Sequence, residues 1–60
     1  MKKLRVVVPA ELRTRTPRGL FEALKYAPMR DRRGITDYWL LGEAPLQGGK
    51  KQVTLMVRYD

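Results

Sequence analysis

The chain has 60 residues, a formal net charge of +7, and neither cysteine nor histidine. Disulfides and the usual zinc ligand sets are excluded, and because serine is missing too, so is nucleophilic catalysis of the Ser–His or Cys–His kind. A domain this short buries only about 60% of the surface its unfolded chain exposes, so a homo-oligomer, most simply a dimer, or a covering partner is expected.

In chain order, residues 3–8 (KLRVVV) read as a strand with Leu4, Val6 and Val8 on one face and Lys3, Arg5 and Val7 on the other. Pro9 cannot donate to a ladder, so it ends this strand or places it on an edge. Residues 10–15 (AELRTR) fit either a helical turn or a basic loop. Thr16-Pro17 then marks a helix start, with threonine as the cap and proline at the first helical position. The helix is expected over 17–27, with Leu20, Phe21, Leu24 and Ala27 as its apolar stripe and Glu22 and Lys25 toward water. Gly19 weakens its first turn, and Pro28 stops it.

Residues 29–34 (MRDRRG) read as a loop. Residues 35–41 (ITDYWLL) are β-branched and aromatic and read as a strand, followed by a long hairpin connection in GEAPLQGGKK. Residues 52–59 (QVTLMVRY) form the cleanest strand, with Val53, Leu55, Val57 and Tyr59 on one face and Gln52, Thr54, Met56 and Arg58 on the other. The expected fold is therefore α+β: strand–helix–strand–strand, one small domain over residues 1–60, a three-stranded sheet with the helix on one face. The last two strands pair as a hairpin, and the first joins the same sheet by a right-handed crossover. The uncovered face carries Lys3, Arg5, Val7, Thr54, Met56 and Arg58, together with one of Tyr38 and Trp39. Adjacent strand residues point to opposite faces, so one of these two rings is core and the other outward.

Two families echo parts of this pattern. LRVVVPAELRTR resembles the start of ribbon–helix–helix DNA-binding proteins. That resemblance implies a dimer whose paired strands enter the major groove with Lys3, Arg5 and Val7 outward, and a second helix in RGITDYWLLGEA capped by Thr36. Against that pattern, Thr16-Pro17 falls inside the first helix, Gly42 and Pro45 interrupt the second, and QVTLMVRY has no counterpart. The strand–helix–strand–strand order is similar to that of dodecins, small flavin-storing shells. QVTLMV resembles their last strand, which implies a flavin stacked on Trp39 and contacted by Gln52. Dodecins tend to be acidic, and this chain is basic.

Charge carries most of the functional argument. Residues 1–33 hold ten Lys and Arg against Glu11, Glu22 and Asp31, whereas residues 34–60 are neutral. So concentrated a positive segment attracts polyanions; the competing expectation is a solvated surface. Arg30, Arg32 and Arg33 beside Gly34 present planar forks suited to phosphate, unless Asp31 pairs with one of them in an ordinary turn. Arg13, Arg15 and Arg18 surround a helix N-terminus, which favours anions. The two clusters are expected to join in one surface. The outward ring, taken as Trp39, is a platform for a base or an oligomer contact. Gly48 to Lys51 (GGKK) leads into a strand rather than a helix, so it is a hairpin tip guarded by lysines, although Lys50 and Lys51 remain able to touch phosphate.

The expectation is a small cytoplasmic nucleic-acid-binding protein, DNA-binding or transcription-related, with Lys3, Arg5, Arg13, Arg15, Arg18, Arg30, Arg32, Arg33, Lys50, Lys51 and Arg58 on phosphates and Trp39 on a base. The alternative is a protein-interaction or self-assembling module that docks its open sheet face on an acidic partner. A small-ligand shell stacking on Trp39 is a third possibility. The carboxylates are scattered, so no enzyme is expected, nor any cofactor or metal. Lys2-Lys3 before LRVVVPA mimics a leader, but its apolar run is short and broken by Arg5, and no membrane partner is expected. The absence of asparagine and cysteine with eight arginines fits a thermophilic source; a GC-rich genome enriches arginine as well.

Overall fold

The computed structural model describes residues 1–60. The elements run β1 (Lys2–Pro9), α1 (Pro17–Leu24), α2 (Met29–Arg32), β2 (Ile35–Leu46) and β3 (Lys50–Tyr59). They form a single antiparallel sheet in the order β1-β3-β2, so the last strand in the chain lies in the middle. The α+β architecture follows the alternation read from the sequence. In RGITDYWLLGEA the chain is strand from Ile35 onward, not helix, which removes the ribbon–helix–helix alternative. No helix is long and apolar enough to cross a membrane.

The core lies between the sheet and α1. Val53, Leu55 and Val57 of the central strand have no exposed surface, and Leu4, Val6 and Val8 flank them from β1. Ala23, Leu24 and Ala27 close the other side. Burying a valine or leucine contributes about 1.5–3 kcal/mol, so with two valines and one leucine each, β1 and β3 supply matching shares, β3 being the strand paired on both edges.

The helix start is built as its sequence signature requires. The Thr16 hydroxyl accepts from the Gly19 amide at 3.1 Å and donates to the Arg13 carbonyl at 2.8 Å, with Pro17 at the first helical position. The helix is shorter than the expected 17–27: it ends at Leu24, and a turn carries the chain to the buried Ala27. Phe21, expected in the apolar stripe, is 50% exposed. The small side chains of Ala23 and Ala27 let that side of the helix approach the sheet, which rotates Phe21 outward. Gly19 is a packing requirement rather than a weakness, because a Cβ there would sit 1.7 Å from the Arg13 carbonyl oxygen.

Three boundaries differ from the sequence reading. MRDRRG contains the one-turn helix α2. β2 runs on to Leu46, five residues past its expected end, and β3 starts at Lys50. The connection is only Gln47–Gly49, with Gly48 and Gly49 at φ 76° and 71°, left-handed values that suit glycine. Pro45 is accommodated because β2 is an edge strand. Thr36 and Leu41 are extra residues without a direct partner, at register shifts between Ile35 and Asp37 and between Leu40 and Gly42. Such bulges bend a strand and increase its twist.

The Gly19 contact sets a stability test. Gly19→Ala should destabilise by about 1–3 kcal/mol, the range for forcing extra atoms into a packed site, measured by urea unfolding. Stability equal to wild type would show that the Arg13 carbonyl moves aside freely.

Candidate nucleic-acid interface

The strand register decides which ring faces outward. Trp39 pairs with Met56, and Met56 with Lys3, so these three form one row across the face opposite α1. The next rows are Arg5–Thr54–Gly42 and Val7–Gln52–Ala44, with Lys50 beyond them in β3. Tyr38 points the other way and packs half-buried against the core. Trp39 is 38% exposed. Gly42, two paired positions along β2, has nothing within 4 Å of where a Cβ would lie, so one flank of the indole is clear.

The ion pairs sort the remaining cations. Lys51 meets Glu43 at 3.1 Å and Arg58 meets Asp37 at 3.3 Å, so two of the expected phosphate contacts already have carboxylate partners. Asp31 pairs with Lys2 of β1 at 3.2 Å rather than with a neighbouring arginine. Lys3, Arg5, Arg13, Arg15, Arg18, Arg30, Arg32, Arg33 and Lys50 have no carboxylate within 4.0 Å. Lys25 has none either and sits 5.0 Å above the Phe21 ring, which its expected position toward water did not suggest.

The two arginine clusters lie at opposite ends of α1. Arg13, Arg15 and Arg18 surround its N-terminus; Arg30, Arg32 and Arg33 follow its C-terminal turn. Eight helical residues span about 12 Å, and a groove runs between the clusters along β2. At the helix start, Thr16 occupies the Gly19 amide and Pro17 has none, which leaves the Arg18 amide as the first-turn donor without a partner. An anion placed there would meet guanidinium groups more than backbone donors.

The segment bearing Arg30, Arg32 and Arg33 is held from the C-terminal strand. Tyr59 donates from its hydroxyl to the Asp31 carbonyl at 2.6 Å, and the Asp60 amide donates to the Gly34 carbonyl at 3.0 Å. Comparison with known proteins found no family model, no curated protein and no solved structure that matches this chain.

The two anchors of Asp31 should differ in strength. Tyr59→Phe loses a part-buried hydrogen bond and should cost about 1 kcal/mol, while Asp31→Asn loses an exposed ion pair and should cost less than about 1 kcal/mol. Thermal melts of both variants check the order; a larger loss for Asp31→Asn would place the anchor in the carboxylate.

Proposed function

We propose that this protein binds single-stranded nucleic acid on the open face of its sheet, with Trp39 stacked on a base and Lys3, Arg5 and Lys50 on the phosphates. The observation that carries this is the placement of the chain's one tryptophan, half-exposed on an uncovered sheet face, in the same rows as cations that have no acidic partner. An open antiparallel face with an outward aromatic suits an unstacked base, whereas the bases of a duplex are shielded. Lys3 and Trp39 stand two strand spacings apart, roughly 10 Å, which separates a phosphate grip from a base platform. The unpaired arginines around α1 add long-range attraction without touching the strand.

The competing occupant of this face is a protein, and Val7, 49% exposed, together with Met56 beside Trp39 favours it. Under that reading the same surface docks an acidic partner or a second copy of the chain.

Titration of a single-stranded oligonucleotide separates the two. The intrinsic emission of Trp39 should be quenched on binding. Each phosphate contact contributes about −0.7 to the log–log salt slope for single strands, so three contacts give about −2, a roughly 20-fold loss between about 50 and about 200 mM salt. Trp39→Ala should weaken binding roughly 5- to 150-fold, about 1–3 kcal/mol for one stacked base. Tight binding that ignores both Trp39→Ala and salt, or no binding at low salt, would remove the nucleic-acid reading and leave the protein-docking one.

A further inference from the structure

We propose that the groove between α1 and β2 binds an extended peptide segment of a protein partner, one in which apolar residues are flanked at both ends by acidic ones. This site is on the helix side of the sheet, apart from the open face. It consists of two hollows of about 580 and about 300 Å³ that both touch Tyr38. Their floor is Leu20, Phe21, Leu24, Ile35, Tyr38 and Leu40. Four of these are aliphatic and offer no stacking surface, so the floor suits protein side chains better than bases.

Charge defines the rest of the ligand. Arg15 lines one end of the groove, and Lys25 and Arg32 line the other; the acidic residue in the lining, Asp37, is already matched by Arg58 at 3.3 Å. Two buried side-chain polar atoms have no hydrogen-bond partner, Thr14 Oγ1 and Arg32 Nε, and their residues sit at opposite ends of this groove. A buried donor or acceptor left unpaired is unfavourable, but both atoms lie beneath the surface, so the charged groups a bound segment meets are those of Arg15, Lys25 and Arg32. A second copy of the chain fits poorly, because it would bring the same cations to the same groove.

The wall is also an edge strand. The Tyr38 amide donates to Asp37 Oδ1 at 2.9 Å, so it faces away from β3. By the alternation of an antiparallel ladder, the Leu40 amide and carbonyl face outward too. Asp37–Leu40 is the regular stretch between the bulges at Thr36 and Leu41. An extended segment laid there adds main-chain pairing to side-chain pockets, the mode of strand addition.

The probe is a fluorescein-labelled eight-residue peptide with leucine and phenylalanine at its centre and glutamates at both ends. Controls replace its apolar residues by serine or its glutamates by lysine. The acidic–apolar peptide should bind at least tenfold more tightly than either control and shift the Tyr38 and Leu40 amide resonances. Phe21→Glu and Arg15→Glu, both at exposed positions, should each weaken it at least tenfold with unchanged thermal melts, while Trp39→Ala leaves it unaltered. Equal binding of the glutamate–serine control would overturn the proposal in favour of charge alone. Displacement of the peptide by an oligonucleotide whose own binding is lost in Phe21→Glu would assign the groove to nucleic acid instead. Because Trp39→Ala and Phe21→Glu act on opposite faces, the open-face reading and this one fail separately.

Discussion

A helix of eight residues, about 12 Å long and about 10 Å across, has to cover a sheet whose edge strand β2 alone has twelve residues. It covers the half over β1 and β3, where the buried inward residues are all valine or leucine, and it leaves two surfaces bare. One is the whole opposite face. The other is the flank of β2, where Tyr38 and Leu40 are only partly shielded. Both candidate sites come from this shortfall of cover, and so does the exposure of Phe21.

Placing β3 between the other two strands determines what occupies those surfaces. Residues 50–57 of β3 have a neighbour on both sides, so their outward set draws Lys3 and Arg5 from β1 and Trp39 from β2 into common rows. Asp37 lies on the same face as Trp39 but is matched there by Arg58; Asp31 and Glu43 also each meet a cation, and the surplus positive charge is left unmatched. Unpaired surface cations do little for folding. Their number on a marginally stable chain gives them their main physical consequence as a field around the molecule.

Much of this was legible in the sequence where local chemistry decides structure. Valine alternation set β1 and β3, Thr16-Pro17 set the start of α1, and the β1 and β3 parts of the open face were legible, whereas its β2 residues Asp37, Gly42, Ala44 and Leu46 were not. The choice between Tyr38 and Trp39 was not legible, because it depends on which one meets Met56 across the ladder. Gly42 and Pro45 argued for a loop, yet an edge strand tolerates both, so β2 was cut short. The partner of Asp31 was missed because Lys2 is adjacent only after folding. Gly19 looked like a propensity cost because its contact is with the Arg13 carbonyl, which a helical wheel does not contain. The groove escaped because its walls, α1 and β2, are far apart in sequence, although Phe21 and Lys25 at a spacing of four hint at a shared helix side.

The extra residue at Leu41 has an effect on how this chain tolerates change in length. Strict alternation from Trp39 would place Leu41, Glu43 and Pro45 on the open face. The bulge reverses that parity, so Gly42, Ala44 and Leu46 share the face of Trp39, while Glu43 lies opposite Val53 and reaches Lys51. A chain lacking Leu41 keeps every cross-strand partner and loses the bend. A chain lacking Gly42 instead has Leu41 beside Thr54, its isobutyl group over the indole flank that is now clear. Two neighbouring single-residue deletions thus have different fates: one straightens an edge, the other covers the platform.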